Sequence, residues 1–309
     1  MKNKENNFVS AVLYVHNNEQ TIKQFIQNLN GVLYDNFKKY EIIFVDDCSE
    51  DKSAEAIREA AKNSNEGSMV LINTGFYQGL ESSMIAGVDF ASGDFVFEFD
   101  TTTIDYDINL IMDVYNFCIS GCDIVGASSK VKQRKTSRIF YFLFNNYSKM
   151  QYKIQTESFR ILSRRAINRI NQMSITIPYR KAIYANCGLK YDNISYESKS
   201  VAASKHTVKS SYRKGLAFDS FIIFTNIAYK ISIIFTVLMM TFLVFFGVYT
   251  LVIYLSEKPI EGWTTTMSLL TIGFFGMFGV LSIVIKYLSV IVSLIFKKTK
   301  YVIRNIEKL

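Results

Sequence analysis

The sequence predicts a doubly wound α/β domain with a parallel sheet, followed by a two-helix transmembrane hairpin. Strand-like apolar runs alternate with helical patterns over roughly the first 100 residues, an order that is typical of parallel sheets. Near the end of the chain, Ile231–Leu255 and Thr264–Ile285 are two apolar runs. Each is as long as a membrane-spanning helix, which needs about 20 residues.

The alternation begins at Phe8–Val15, which is apolar and β-branched, as expected of a strand that is covered on both faces. Glu19–Leu33 then repeats apolar residues at helical spacing, which predicts the first helix. A second helix ends at Ala61 and a third covers Leu80–Phe90. The other predicted strands are Tyr40–Val45, Met69–Asn73, Phe95–Phe99 and Asp123–Val125.

The short link between the two apolar runs, Ser256–Trp263, predicts a hairpin whose outer ends lie on one side of the membrane. Lys297, Lys298 and Lys300 follow the second run, whereas the link carries one Lys and two Glu. By the positive-inside rule, both chain ends are then cytoplasmic. The alternative is a buried helical hairpin in a large soluble core.

We divide the chain accordingly. The predicted parts are a cytoplasmic domain over 1–210, an interfacial amphipathic segment over 211–230, the two-span hairpin over 231–296 and a basic cytoplasmic tail over 297–309. No signal-peptide pattern precedes the first strand, so we expect the front domain to stay in the cytoplasm. The four cysteines form no C-x-x-C pair, which indicates a reduced compartment and no structural zinc.

The net charge of +8 is concentrated in two clusters, at 130–138 and 199–214. Such clusters predict attraction to an anionic membrane or to phosphorylated ligands. A solvated positive face that only helps topology is the alternative. No recognition motif accompanies the charge, so nucleic acid is not a predicted partner.

Several motifs lie at the ends of the predicted strands. They are Val45-Asp46-Asp47-x-Ser49-x-Asp51 after the second strand, Gly87-x-Asp89-x-Ala91-x-Gly93-Asp94 before the fourth, and Asp100 at its end. With them the chain resembles the family-two glycosyltransferases, which have a GT-A nucleotide-sugar domain. It is most similar to the membrane-attached polyprenyl-phosphate group, which contains dolichyl-phosphate mannose synthase and bacterial bactoprenol glucosyltransferases.

The resemblance implies a nucleotide-sugar donor site. Asp46 and Asp47 can accept hydrogen bonds from a base and a ribose, and Ser49 completes this motif. Gly79 matches the glycine of the family's third loop, although the Arg-Asn that precedes it in the family is replaced here by Phe76-Tyr77. A helix N-cap made by Asp47 or Ser49 is the structural alternative.

Asp100 matches the first position of the family's D-x-D motif, which binds a divalent ion against the diphosphate. The resemblance therefore implies Mg²⁺ or Mn²⁺ as cofactor. The second position of the motif holds Thr102, so either Asp105 or Asp107 is expected as a further ligand, or the Thr102 hydroxyl binds through water.

Glu157-Ser158-Phe159-Arg160 resembles the family's Asp-Phe-Arg segment near the transfer centre, with Ser158 at the aspartate position. We expect Glu157 and Arg160 to join Asp100 as catalytic residues. Arg160, Arg134 and Lys205 are the cations expected to hold phosphates, because positioning by cations matters more than proton abstraction for an anionic acceptor.

The predicted function is inverting transfer of a hexose from a nucleotide sugar to undecaprenyl phosphate, at the cytoplasmic face of a bacterial inner membrane. The resemblance also makes a homotetramer an expected assembly. The alternatives are a glycosyltransferase that acts on another lipid or glycan acceptor, and a non-catalytic membrane binding module of the same fold. Ser158 and Thr102 motivate the second alternative, because both stand where the family has an aspartate.

Overall fold

The computed structural model describes residues 4–62, 67–130, 141–142, 145–146, 152–173, 179–198, 234–235, 237–239, 241–242, 245, 262–296 and 301–309. The chain divides into two compact units. Unit 1 comprises Met1–Asn145, Met150–Ser220 and Lys298–Leu309, and unit 2 comprises Asn146–Lys149 and Phe221–Lys297.

Unit 1 is built on one eight-stranded sheet. Its strands are β1 (Val9–Val15), β2 (Tyr40–Asp46), β3 (Ser68–Thr74), β4 (Phe95–Phe99), β5 (Ile124–Ser129), β6 (Phe159–Ser163), β7 (Tyr191–Tyr196) and β8 (Ile303–Lys308). The order across the sheet is β7-β5-β6-β4-β1-β2-β3-β8. The four central strands β4, β1, β2 and β3 are parallel, so the predicted parallel α/β domain is confirmed.

Helices cover both faces of this sheet. They are α1 (Ile22–Asn36), α2 (Ser53–Lys62), α3 (Leu80–Phe90), α4 (Leu110–Ile119), α5 (Arg164–Gln172) and α6 (Arg180–Asn186). One core contains buried residues of α1, α2 and α4, and the other contains buried residues of α3, α5 and α6. Along β1, Leu13 packs into the first core whereas Val12 and Tyr14 pack into the second. This alternation is the reason why β1 is apolar apart from Ser10.

The end of the chain forms part of the sheet. β8 lies at one edge and runs antiparallel to β3, with Val70 opposite Lys308 and a register shift between Asn73 and Thr74. The sequence pattern predicted a basic tail over 297–309 and no strand in it. Four of the six residues of β8 are polar or charged, so the strand shows no apolar run, as expected of an edge strand that buries only part of its surface.

Unit 2 contains α7 (Trp263–Phe296), whose described apolar side chains include the exposed Phe275. Of the first apolar run, the structure describes only residues 234–235, 237–239, 241–242 and 245. Within the described residues, we find no helix that combines the length and the apolar character needed to cross a membrane. The predicted two-helix transmembrane hairpin over 231–296, and with it a multi-pass topology, is therefore wrong.

Candidate active site

The candidate site lies where the carboxyl ends of the central parallel strands meet. Asn17 follows β1 and Cys48 follows β2, and both adopt a left-handed backbone with φ of 55°. The two loops are tied together, because Asn17 N donates to Ser49 Oγ at 3.1 Å and Glu50 N donates to Asn17 Oδ1 at 2.8 Å. Left-handed residues other than glycine are sparse in proteins and cluster at ligand sites.

Asp47 is fully buried and organises the loop between β3 and α3. Its carboxylate accepts four hydrogen bonds, from Gln78 N at 2.8 Å, Gly79 N at 2.8 Å, Tyr14 Oη at 2.9 Å and Thr74 Oγ1 at 3.3 Å. A carboxylate has about four lone-pair positions, so these donors satisfy it. Asp47 therefore fixes the loop that carries Gly79, whose φ of 84° favours glycine.

Asp46 and Ser49 form a pair beside this loop. Ser49 Oγ donates to Asp46 Oδ1, and burial raises the pKa of the Asp46 carboxyl above its ordinary value. Helix α2 begins only at Ser53, so neither Asp47 nor Ser49 makes the N-cap that the sequence left open. Both acidic residues of the motif are thus held at the strand end by partners within the protein.

A buried ion network lies beneath the end of β4. Arg160, on β6, has no exposed side-chain surface and donates to three carboxylates. Its contacts are Nη1 to Glu98 Oε2 at 2.6 Å, Nη2 to Asp100 Oδ2 at 2.7 Å and Nε to Glu157 Oε2 at 2.7 Å. These bonds follow from the sheet, because antiparallel pairing puts Arg160 opposite Glu98. Arg160 is therefore a positioning residue in this structure, out of reach of a ligand in solvent.

Arg180, the first residue of α6, is the second buried cation of the network. Its Nη2 donates to Asp100 Oδ1 at 2.8 Å, so the two arginines hold one oxygen each of the same carboxylate. Its backbone N and its Nε both donate to Glu81 Oε2 at 2.9 Å. Its Nη1 lies 2.8 Å from Glu98 Oε2, an ionic contact whose angle does not make a hydrogen bond.

Charge does not balance within this network. It contains four carboxylates and three cations, because Lys181 Nζ lies 3.8 Å from Glu157 Oε2 beside the two arginines. The side chain of Asp100 is 16% exposed, against 0% for Glu98 and 1% for Glu157. The negative charge of the network is thus most exposed to the site at Asp100.

Two pKa shifts follow from this arrangement. Burial alone would raise the pKa of Asp100, but the charges of Arg160 and Arg180 outweigh it and hold that pKa well below its usual range. Burial likewise opposes ionisation of Glu157, whereas Lys181 and Arg160 lower its pKa overall. Both carboxyls are therefore ionised near neutral pH.

The predicted metal ligands are not gathered into one cluster. Asp105 accepts from Tyr196 Oη at 2.7 Å, and Asp107 Oδ1 accepts from Asn109 N at 3.0 Å at the start of α4. Thr102 is buried, and its hydroxyl lies 2.6 Å from that of Thr21 at the start of α1. In the part of the chain that the structure describes, no three His, Cys, Asp or Glu side chains come together to hold a metal ion. Hence these residues do not fit a site made by protein ligands alone.

Two of the predicted phosphate-binding cations, Arg134 and Lys205, lie outside the described residues, as does the predicted interfacial segment 211–230.

Glu98 was not among the predicted site residues, although the sequence carries a signal for it. Glu98 is the only charged residue in Phe95–Phe99, a strand that is otherwise apolar and aromatic. A charge in a buried strand needs a partner, and Arg160 is that partner.

The family comparison agrees with this geometry. The model of the family described as glycosyl transferase family 2 matches residues 10–170, more than half of the chain. The chain belongs to glycosyl transferase family 2. The resemblance on the strand-end motifs is thereby confirmed, and the protein is a glycosyltransferase, which removes the non-catalytic binding module from the alternatives.

Two curated relatives of this glycosyltransferase come from bacteria. It is 24% identical over 266 residues to "Uncharacterized glycosyltransferase YkcC" of Bacillus subtilis, covering 83% of this chain and 80% of the relative. It is 29% identical over 196 residues to "Prophage bactoprenol glucosyl transferase homolog" of Escherichia coli, covering 61% of this chain and 62% of the relative. The second match thus spans less than two thirds of the named protein.

A solved structure shares the fold. The glycosyltransferase aligns with the mannosyltransferase PcManGT from Pyrobaculum calidifontis, a structure solved in complex with GDP-Man and Mn²⁺. The TM-score is 0.50 at 12% identity, and the alignment covers 71% of this chain and 63% of that one. This likeness supports the nucleotide-sugar fold and does not extend to substrates.

Proposed function

We propose that this glycosyltransferase moves a hexose from a nucleotide sugar to a polyprenyl phosphate, with inversion at the anomeric carbon, at the cytoplasmic face of a bacterial membrane. The observation that carries the proposal is the position of Asp100, the partly exposed carboxylate of a buried ion network at the carboxyl end of β4. Open α/β sheets bind their ligands at this edge. The relative named as a bactoprenol glucosyl transferase homolog supports the lipid acceptor.

The donor would lie across the loops that follow β2, β3 and β4. The loop anchored by Asp47 offers backbone and aromatic groups to the nucleotide, because Phe76 is 57% exposed there and the ring of Tyr77 lies 4.8 Å from that of His16. Asp100 would accept hydrogen bonds from the sugar, because its oxygens keep lone pairs beyond those used by the two arginines.

The chemistry needs no nucleophile from the protein. An oxygen of the acceptor phosphate attacks the anomeric carbon and forms the new C–O bond, while the bond from that carbon to the donor diphosphate breaks. The electron pair of the broken bond leaves with the nucleoside diphosphate. The acceptor oxygen is already anionic near neutral pH, so no proton has to be removed. Orientation and electrostatics then supply most of the rate enhancement.

Within the described network, Lys181 is the cation most accessible to a ligand, since 11% of its side chain is exposed against 0% for Arg160 and 2% for Arg180. We assign it to the departing diphosphate. Arg160 and Arg180 would instead keep Asp100 ionised and fixed. The need for Mg²⁺ or Mn²⁺, and the roles of Arg134 and Lys205, stay predictions of the family resemblance.

The experiment is a transfer assay with a panel of radiolabelled nucleotide sugars, each with and without undecaprenyl phosphate, and with and without EDTA. The proposal expects label in an organic-soluble product only when the lipid phosphate is present. Mild acid should release the sugar from that product, because a glycosyl phosphate is acid-labile. Activity that survives EDTA would contradict the metal prediction and leave the transferase proposal intact.

Asp100→Asn should lower the transfer rate by about a hundredfold or more, because it removes the surplus negative charge at the site. The matched control is Asp35→Asn, which changes an exposed carboxylate on α1 and should keep wild-type activity. Label that moves to another lipid or glycan when undecaprenyl phosphate is absent would overturn the proposed acceptor. Equal activity of the two variants would overturn the role of Asp100.

A further inference from the structure

The segment before β8 is bonded to the same loop that Asp47 holds. Gln78 Nε2 donates to the carbonyl oxygen of Val302 at 2.7 Å, and Val302 N donates to Gln78 Oε1 at 2.7 Å. The carboxamide of Gln78 thus binds both polar groups of one backbone residue, as a neighbouring strand would do. Gly75 N also donates to the Val302 carbonyl oxygen, at 3.2 Å, so Val302 takes part in three hydrogen bonds with this loop.

Gln78 is therefore held from two sides. Its backbone N donates to Asp47 on the β2 side, and its side chain is bonded to the C-terminal segment. Gly75, which is also bonded to Val302, and Gln78 flank Phe76 and Tyr77, which replace the Arg-Asn of the family pattern. A loop fixed at both ends loses less conformational entropy when it binds a ligand.

The C-terminal segment is itself anchored to the sheet. Glu307 accepts two hydrogen bonds from Arg58 on α2, at 2.8 Å from Nε and 2.9 Å from Nη2, and one from Asn73 Nδ2 at 2.9 Å. Leu309 N donates to the Met69 carbonyl at 2.9 Å. These contacts give Val302 a fixed position from which to hold the loop.

We propose that residues 301–309 contribute to the donor site by stabilising the loop 75–79. Gln78 is the positioning residue that connects the two segments. The proposal rests on the proposed function, because it assigns this loop to the nucleotide-sugar donor. It adds that donor affinity depends on the end of the chain, although that end lies more than 200 residues from the loop in sequence.

The test uses Gln78→Ala in the full-length protein, with Gln27→Ala, an exposed residue of α1, as the matched control. Amide hydrogen exchange should rise at residues 75–79 in Gln78→Ala and stay at the wild-type level in Gln27→Ala. The affinity for UDP or GDP, measured by calorimetry, should fall about tenfold, which corresponds to about 1.4 kcal/mol. In the transfer assay the donor KM should rise with kcat nearly unchanged.

Gln78→Glu keeps the length of the side chain but removes its amide donor. A glutamate can still accept from Val302 N but cannot donate to the Val302 carbonyl, so nucleotide affinity should fall at least as far as in Gln78→Ala. Amide exchange at the wild-type level in Gln78→Ala would refute the claim that Gln78 stabilises the loop 75–79. Raised exchange with unchanged nucleotide affinity would refute the claim that this stabilisation supports donor binding. If the wild-type protein binds neither nucleotide, the proposed function fails, and hydrogen exchange still decides whether Val302 holds the loop.

Discussion

Removing Arg160 tests the ion network most directly. In Arg160→Met, two carboxylates with almost no exposed surface, Glu98 and Glu157, lose a hydrogen-bonded partner at 2.6 Å and 2.7 Å, and Asp100 loses one at 2.7 Å. Removing one partner of a buried ion pair costs about 3–5 kcal/mol, because the other charge stays buried without compensation. We expect a loss of this size, equal to about two to four orders of magnitude in the folding equilibrium.

The loss should also depend on pH in a defined direction. Asp100 and Glu157 have lowered pKa values in the folded state, so their stabilising contribution is present above the ordinary carboxyl pKa and disappears as the pH falls through the folded value. Arg160→Met lacks most of that contribution already at neutral pH. The difference in unfolding free energy between wild type and variant should therefore be largest near pH 7 and shrink below about pH 4.

The assay is urea unfolding followed by far-UV circular dichroism, because the single tryptophan, Trp263, belongs to unit 2 whereas the sheet belongs to unit 1. Lys23→Met is the matched control, since both side chains of the Lys23–Glu59 ion pair are exposed, 51% for Lys23 and 63% for Glu59. It should unfold close to wild type, because exposed ion pairs contribute little. Equal losses in the two variants, or a loss for Arg160→Met that does not change with pH, would refute the reasoning.

Three further predictions concern single residues. Gly79→Ala should lower the free energy of unfolding by about 1–2 kcal/mol in thermal or urea unfolding, because φ at this position is 84°. An unchanged unfolding midpoint would show that the loop adapts to the new side chain without strain. Thr102→Asp should leave Mn²⁺ affinity in calorimetry unchanged, because this side chain faces Thr21, and tighter binding would contradict that orientation. Arg58 lowers the pKa of Glu307 to about 2 from its ordinary 4.5, so Glu307→Gln should reduce stability at pH 7. That deficit should vanish as the pH falls from about 4.5 toward 2, and a deficit that persists in acid would argue against the ion pair.

The parallel core was predictable because its physical signals are local. β1 and β2 are largely apolar and buried along their whole length, and α1 buries one face at helical spacing, so the sequence pattern and the structure agree closely there. The strand-end acids were predictable for the same reason, since each directly follows a buried strand. The resemblance grouped Arg160 with Asp100, but nothing in the pattern placed Arg180 there, because Arg180 reaches Asp100 from 80 residues away in sequence.

The remaining errors have physical causes as well. Apolar content and length alone predicted the transmembrane hairpin, and within the described residues no helix meets both requirements for crossing a membrane. Asp105 and Asp107 were expected near Asp100 from their proximity in sequence. The chain turns after β4, however, and Asp105 pairs with Tyr196 at the end of β7. Sequence spacing predicts which residues share a face of a helix or strand, but not where a loop directs its side chains.

The pairing of β8 with β3 has a consequence for biosynthesis. Residues of β3 emerge from the ribosome well before their partners in β8, with Val70 opposite Lys308. Domains generally begin to fold from the N-terminus during synthesis, and pairings between distant residues form late. The edge of β3 must therefore stay unpaired with β8 until β8 has been made, and a variant that lacks β8 would leave that edge open to aggregation.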